Sequence, residues 1–211
     1  MPSHTVEQGE HLSEIALKYG LAKYQTIWDH PQNAELKKKR ANPNVLFPGD
    51  VVFIPKFAYK ELPCETGAKH KFVVPGSPPL KLRVIVRSRK GMPVADADCE
   101  LTVEGAIYKL KTDGNGLIER LIPATAKIGK LRVPELQIES PLKIGHLDPI
   151  DEQSGLLGRL RNLGYYRGPM EEVDEDELKS AIEEFQCDFG LKVDGDAGSK
   201  TQAKLKELHG C

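Results

Sequence analysis

A stretch rich in proline and glycine, residues 57–79, restricts the fold of this chain more than any other feature. Each proline fixes φ and removes a backbone hydrogen-bond donor, so such a stretch stays extended and does not pack as a helix or a central strand. The 211-residue chain is long enough for two or three small domains. We therefore expect a multidomain protein in which this stretch is a linker. Its prolines and glycines are Pro63, Gly67, Pro75, Gly76, Pro78 and Pro79.

The distribution of charge along the chain favours the same division. Residues 1–60 carry 8 Lys/Arg against 6 Asp/Glu, residues 61–150 carry 14 against 11, and residues 151–211 carry 8 against 14. The formal net charge of the whole chain is only -1, so no strong overall field draws it to nucleic acid. The sequence holds no run of about 18 apolar residues, and no membrane insertion is expected.

The N-terminal residues Met1-Pro2-Ser3-His4 lack the basic start and the apolar stretch of a secretory signal. We therefore expect synthesis in the cytoplasm, and delivery to the periplasm or the exterior would need a non-classical secretion system. The cysteines show no CxxC spacing and the histidines form no H-x-H pair, so neither a metal nor a cofactor is expected. Reduced thiols are favoured, while a disulfide between Cys64 and Cys99 stays open. The other two cysteines are Cys187 and Cys211.

Residues 4–55 show the order strand, helix, helix, strand. Apolar residues recur at helical spacing from Leu12 to Tyr19, and Gly20 is a suitable helix stop. Thr26 is placed to cap a second helix, which Pro31 breaks or restarts. The turn residues 48–50 then lead into a closing apolar strand.

Two groups of residues in this segment form a recognisable pattern. The first group is Val6, Gly9, Glu10, Leu12, Ile15, Ala16, Tyr19 and Gly20, and the second is Asn42-Pro43, Pro48-Gly49 and Ile54-Pro55. With this pattern, residues 1–56 resemble the LysM family. The resemblance implies an α+β fold of βααβ type that binds glycans containing N-acetylglucosamine, such as peptidoglycan or chitin.

The LysM resemblance also implies a site, a shallow groove between two loops. Backbone groups on both walls would bond the acetamido groups of the sugars, and apolar side chains would cover the sugar faces. One wall of this groove comprises Gly9, Glu10, His11 and Leu12, and the other comprises Asn44, Val45, Leu46 and Phe47.

This sequence departs from the family pattern in two places. His11 stands where members usually have a small Thr or Ser, and the stretch 28–40 is longer than usual and ends in the basic run 37–40. The longer form resembles LysM modules encoded beside spike and baseplate genes of contractile injection systems. The basic run is interpreted as a solvated helix face, with binding of phosphate-rich polymers or of an acidic partner as the alternative. Trp28 is expected in a core and not on a sugar-binding surface.

Residues 80–147 show short alternating strands and are predicted to form an all-β sandwich that acts as a spacer. The residues 112–116, Thr-Asp-Gly-Asn-Gly, predict a tight hairpin with positive φ at its Gly and Asn positions. Together with residues 91–97 they resemble the carboxypeptidase-regulatory or transthyretin-like sandwich.

Residues 148–211 show three apolar stripes at helical spacing and are predicted to form an all-α three-helix bundle. The acidic run 171–177 is interpreted as stabilising a helix N-terminus, and calcium binding is disfavoured because the loop spacing for that ion is absent. The segment resembles a peptidoglycan-binding domain. The residues that carry this resemblance are Leu160, Leu163, Gly164-Tyr165, Ala181-Ile182, Phe185-Gln186, Gly190-Leu191, Asp194-Gly195, Gly198 and Thr201.

The sequence therefore predicts a non-catalytic protein of several modules that binds peptidoglycan or a related aminosugar glycan. No nucleophile with a neighbouring base, and no pair of carboxylates for glycan hydrolysis, stands out, so no enzyme activity is expected. The alternative is a structural or cargo-adaptor part of a contractile injection system, such as a type VI secretion spike, with spike or baseplate proteins as partners.

Overall fold

A computed structural model describes residues 3–56, 63–71, 79–88 and 91–210 of the chain. The chain forms two compact units, residues 1–80 with 121–125 and residues 81–120 with 126–211. Helices and antiparallel sheets are both present, and the C-terminal region is helical, which agrees with the expected mixture of classes. The finer division at residues 56, 79 and 147 stays a prediction.

Within the first unit, residues 3–53 have a strand at each end and helices between them. Its two strands pair antiparallel with Ser3 opposite Phe53 and Thr5 opposite Val51, so the predicted order of strands and helices is present. Trp28 is 8% exposed within the core of this unit, which confirms its predicted place. The elements are β1 (Ser3–Thr5), α1 (Leu12–Lys18), α2 (Gln25–Trp28), a 3-10 turn (Pro31–Asn33), α3 (Ala34–Lys39) and β2 (Val51–Phe53).

The second helix of this unit begins differently from the sequence prediction. Helix α2 has Tyr24 at its N-cap position without a side-chain cap, and Thr26 lies inside the helix, so the predicted cap is wrong. Pro31 opens the 3-10 turn and a further helix follows, as expected for a residue that lacks the N–H needed inside a helix.

A buried amide fixes the 3-10 turn to the closing strand. Asn33 is 2% exposed, and its Nδ2 donates to the carbonyls of Ile27 at 2.8 Å and Phe53 at 2.9 Å. Its Oδ1 accepts the Phe53 N–H at 2.8 Å. One side chain thus bonds three backbone groups and joins the end of α2 to β2.

Six strands follow in two sheets. A two-stranded sheet pairs β3 with β6, and a four-stranded sheet has the order β5-β4-β7-β8, in which the neighbours run antiparallel. These strands are β3 (Leu80–Ile85), β4 (Asp98–Val103), β5 (Ala106–Lys111), β6 (Leu117–Ile122), β7 (Ile128–Val133) and β8 (Ile138–Lys143).

The turn at residues 113–116 does not close a hairpin. It joins β5 to β6, which belong to different sheets, so the hairpin prediction is wrong. Only Gly116 there has positive φ, at 74°. A Cβ at Gly116 would lie 2.6 Å from the Val86 carbonyl oxygen, so this position requires glycine both for its φ and for a close backbone approach.

Alternation along β4 divides the four-stranded sheet into two faces. Cys99, Leu101 and Val103 are buried, and the residues between them are more exposed. One covered and one open face is the pattern of a sheet in a sandwich. Of the cysteines, Cys64, Cys99 and Cys187 are free thiols, and Cys211 lies outside the described residues.

Three helices form the C-terminal region, as the apolar stripes predict. They are α4 (Gln153–Leu163), α5 (Glu175–Asp188) and α6 (Ser199–His209). Phe185 and Leu205 are both 0% exposed in their common core. Asp174 caps α5 by accepting the N–H groups of Asp176 at 2.9 Å and Glu177 at 3.1 Å, so the acidic run stabilises the helix N-terminus as predicted.

The entry into α4 depends on a glycine. A Cβ at Gly155 would lie 1.9 Å from the Pro149 carbonyl oxygen, so no side chain fits there. The buried Arg159 donates from Nη1 to the carbonyls of Asp148 at 2.9 Å and Gly155 at 2.7 Å. These contacts hold the chain before α4 against the helix itself.

Candidate functional site

The first predicted wall, residues 9–12, is mostly buried. Gly9 has a φ of 83°, a left-handed conformation that favours glycine. His11 is 2% exposed and Leu12 is 0% exposed, so the side chains of both lie inside the unit. No part of Leu12 is accessible to a ligand in this structure, and its N–H is hydrogen-bonded within the unit.

His11 acts as the N-cap of α1. Its Nδ1 accepts the Glu14 N–H at 3.3 Å, which satisfies one of the helix's open N–H groups. A Thr or Ser at this position would cap in the same way. The departure from the family pattern at residue 11 therefore keeps the local structure.

Glu10 is the one charged residue of this wall, and it is fully engaged. Its carboxylate contacts His4 Nε2 at 2.7 Å and Lys18 Nζ at 3.2 Å, and it accepts the Glu7 N–H at 2.9 Å. Burial alone would raise the pKa of Glu10, but these hydrogen bonds outweigh burial and hold the pKa below its ordinary value. Glu10 thus fixes the turn before α1 in its ionised form.

In the second wall, residues 44–47, three positions are partly exposed and one is buried. Leu46 is 5% exposed and belongs to the core, whereas Asn44, Val45 and Phe47 are half-buried. The Asn44 N–H donates to Asn42 Oδ1 at 2.9 Å, which closes a local turn. The accessible part of this wall is therefore an amide flanked by apolar groups.

Two hydrogen bonds join the ends of the walls, each between a residue of one wall and a chain neighbour of the other. The Leu12 N–H donates to the Pro43 carbonyl at 3.1 Å, and Ser13 Oγ donates to Asn44 Oδ1 at 3.1 Å. The structure therefore brings the two predicted groups of residues together.

A buried ion pair that the sequence pattern does not predict supports the second wall. Arg40 Nε donates to Asp50 Oδ2 at 2.8 Å, with side chains 0% and 3% exposed. Asp50 also accepts the Phe47 N–H at 3.0 Å, and the Arg40 guanidinium lies 5.6 Å from the centroid of the Phe47 ring. Burial would raise the pKa of Asp50, but the hydrogen bonds from Arg40 and Phe47 hold it below its usual range.

The rest of the basic run is also paired within the unit. Lys37 contacts Asp29 at 2.7 Å, Lys38 contacts Glu35 at 2.8 Å, and Lys39 contacts Asp50 at 3.2 Å. The interpretation of residues 37–40 as a solvated face is therefore wrong for Arg40. The three lysines remain exposed.

In the helical region one buried amide organises a loop. Gln186 is 1% exposed. Its Oε1 accepts the N–H groups of Asp194 at 2.9 Å and Gly195 at 3.0 Å, and its Nε2 donates to Asp194 Oδ1 at 2.9 Å. Nε2 also reaches Thr201 Oγ1 at 3.1 Å. The hydrogen bond from Gln186 is the main cause that lowers the pKa of Asp194 to about 2.

Aromatic residues surround the end of α5 next to this loop. Tyr165 and Phe189 are half-buried, and both pack on the buried Phe185, with ring centroids 5.3 Å and 4.9 Å away. Tyr165 donates its hydroxyl hydrogen to Asp188 at 2.9 Å. Burial, followed by this carboxylate, raises the pKa of Tyr165 to about 12.

Within the described ranges, no group of three or more His, Cys, Asp or Glu side chains is arranged to hold a metal ion. None of the helices in the described part of the chain is long and apolar enough to cross a membrane.

A protein-family model matches part of the chain. No curated protein and no solved structure matches the chain significantly. Residues 157–205 match the family model described as a putative peptidoglycan binding domain. The matched range runs from within α4 to within α6 and includes the loop that Gln186 organises. The resemblance inferred for the C-terminal region is thereby confirmed, and this region of the chain is similar to peptidoglycan-binding domains.

Proposed function

We propose that this chain is a non-catalytic peptidoglycan-binding protein that contacts the glycan with its helical region and with the two walls of the first unit. The observation that carries the proposal is the match of residues 157–205 to a peptidoglycan-binding domain. The ordered loop 190–198, held by Gln186, supports an intact domain.

The contribution of the first unit rests on its LysM resemblance and on the accessible residues of the second wall. Asn44, Val45 and Phe47 offer an amide and apolar groups at partial exposure, which suits the acetamido groups and faces of an aminosugar. Two weak sites on one chain raise the overall affinity through effective concentration, provided that both can engage the same wall material.

Co-sedimentation with purified sacculi tests the proposal on the full chain. We expect the wild type to sediment with the sacculi, and Gln186→Ala to weaken binding by displacing the loop 190–198. Gln202→Ala, a substitution at a half-buried glutamine of α6, is the matched control and should bind like the wild type. A wild-type chain that stays in the supernatant would contradict the proposal.

The same assay tests the first unit separately. Val45→Asp places a charge on the second wall and should weaken binding at least about tenfold if both sites act together. Val51→Asp, at a valine that is 59% exposed on β2, introduces the same charge outside the walls and is the control. Turbidity of the sacculi should stay constant, because the proposal includes no hydrolysis.

A second candidate function is a structural or adaptor role in a contractile injection system, as the longer form of the LysM-like segment suggests. In support, the long stretch is ordered as a 3-10 turn and α3 and is anchored by Asn33. Co-purification of the intact chain with a trimeric spike protein would favour this role, whereas sacculus binding without spike binding would argue against it.

A further inference from the structure

The four-stranded sheet has one open face that the proposed function does not use. Residues directly opposite each other in antiparallel strands project to the same side. Thr102 lies opposite both Ile107 and Lys130. The strand register therefore determines which residues of all four strands project to the same side as Thr102. We call this side the outward sheet face. It comprises Asp98, Glu100, Thr102, Ile107, Lys109, Lys111, Ile128, Lys130, Arg132, Glu139, Pro141 and Lys143.

The outward sheet face carries more positive than negative charge. Two of its carboxylates are used in cross-strand ion pairs: Lys130 contacts Glu139 at 2.6 Å, and Arg132 contacts Glu100 at 3.3 Å. The remaining charged groups on the face are three exposed lysines and one carboxylate. They are Lys109, Lys111, Lys143 and Asp98.

Apolar side chains stand among these charges. Ile107 is 67% exposed and Ile128 is 69% exposed. They lie on the strands to either side of β4. A shallow depression of ≈ 250 Å³ on the same face is lined by Glu100, Thr102, Lys130, Arg132 and Glu139. The face therefore offers cations, apolar contact and a shallow concavity together.

We infer that the outward sheet face binds the stem peptides of peptidoglycan through their carboxylates, an inference that rests on the proposed function. Stem peptides combine free carboxylates with small apolar side chains, which matches lysines interspersed with isoleucines. The charge balance of the chain supports this ligand. Residues 151–211 carry 8 Lys/Arg against 14 Asp/Glu, so an anionic wall repels the helical region and a cationic face in the same chain offsets that repulsion.

A second copy of the chain is a poor occupant for this face. Two outward sheet faces packed together would bring their excess lysines into opposition, and like charges across an interface disfavour association. Charge complementarity thus selects an anionic ligand.

The test uses sacculi freed of attached phosphate polymers and the full-length chain. The variant Lys109→Glu/Lys111→Glu/Lys143→Glu reverses three exposed charges, and the control Lys23→Glu/Lys56→Glu/Lys69→Glu makes the same change in net charge at exposed lysines elsewhere. We expect the face variant to bind about tenfold more weakly at low salt, and the control to bind close to wild type. The difference should vanish near 1 M salt, where the screening length falls to about 3 Å.

Chemical neutralisation of the ligand gives a second readout. Sacculi whose carboxylates have been amidated should bind the wild type and the face variant equally. If the face variant matches the wild type on untreated sacculi, the inference is overturned while the proposed function stands. If the wild type does not bind sacculi at all, the proposed function itself fails. Unchanged circular dichroism of the variants shows that the loss is not due to unfolding.

Discussion

The first unit and the helical region hold their key loops by different means. In the first unit an ionic contact, Arg40 with Asp50, supports the second wall through the Phe47 N–H. In the helical region a neutral amide, Gln186, supports the loop 190–198 through two N–H groups. The comparison teaches that the buried side chain that holds a loop can be charged or neutral. Loss of its partner has a different consequence in the two cases. A charged anchor leaves a buried ion when its partner is lost, whereas a neutral one leaves unpaired dipoles.

The largest effect is expected from Asp50→Asn, which keeps the shape but removes the charge. We expect a loss of about 3–5 kcal/mol, because the Arg40 guanidinium would stay buried without a counter-ion. Trp28, the single tryptophan of the chain, reports unfolding of this unit by fluorescence in denaturant. Asp29→Asn, at the exposed pair with Lys37, is the control and should cost less than about 1 kcal/mol. Equal losses of stability in the two variants would contradict the view that the buried ion pair contributes more than the exposed one.

A smaller effect is expected from Gln186→Ala in the helical region. The loss should be about 2 kcal/mol, since a buried donor left without an acceptor costs about 1–3 kcal/mol. Unfolding in denaturant, followed by the helical circular dichroism signal, measures this loss of stability, and Gln202→Ala is the control. The variant should also return the pKa of Asp194 toward its ordinary value, because the hydrogen bond from Gln186 is the first cause of its shift. An unchanged Asp194 titration by NMR would contradict this account.

Tyr165→Phe should cost about 1 kcal/mol, the usual contribution of a single hydrogen bond. The variant removes the hydrogen bond to Asp188 and keeps the ring packed on Phe185. Denaturant unfolding followed by circular dichroism gives the value. The same substitution at Tyr166, which is 1% exposed and donates to the Pro169 carbonyl at 2.9 Å, should cost more. The reverse order would mean that the half-buried hydroxyl contributes more than the buried one.

The smallest effect at neutral pH concerns His209, whose influence is confined to acid. Burial, together with the nearby Arg159 charge, lowers its pKa to about 4, and its Nε2 lies 3.0 Å from Asn162 Nδ2, where the neutral ring accepts a hydrogen bond. Because the unfolded chain takes up the proton near pH 6.5, the helical region should lose stability as the pH falls from about 6.5 to 4.

The first unit should respond to acid in a lower range. Its Glu10 and Asp50 have lowered pKa values, so the stability they provide is complete above their unfolded values and is lost only as the pH falls below about 4.5. Thermal unfolding between pH 7 and 3, followed by Trp28 fluorescence and by circular dichroism, separates the two responses. In the His209→Gln variant, the circular dichroism signal of the helical region should no longer show a loss of stability above pH 4.5. The control variant His146→Gln should still show it.

Periodicity and turn chemistry predicted the helices and most strands from the sequence, because these signals are local. The three apolar stripes of the C-terminal region and the buried place of Trp28 are examples. The sequence could not show that Arg40 is buried while the lysines beside it are exposed, because its partner Asp50 is brought close only by the fold. The pairing of β3 with β6 escaped prediction for the same reason, because a turn motif does not reveal which sheet the next strand joins.

The candidate site was only partly foreseen. The resemblance named residues on both walls, and the fold brings these residues together through the Leu12 contact with Pro43. Burial of the Leu12 and Leu46 side chains could not be read from the motif, because the same apolar residue type serves a core and a sugar face. Gln186 was named as part of the motif, but its role in holding the loop could not be predicted, because its hydrogen bonds are seen only in the structure.

Pro141 has a consequence for how copies of this chain behave at high local density. It lies in β8, an edge strand, and a proline there removes one donor that a foreign strand could pair with. The opposite edge strand, β5, carries Lys109 and Lys111. Their positive charges would repel the same lysines of another copy if two β5 edges aligned. The sheet is thereby protected at both edges against pairing with strands of another copy, so molecules held close together remain separate.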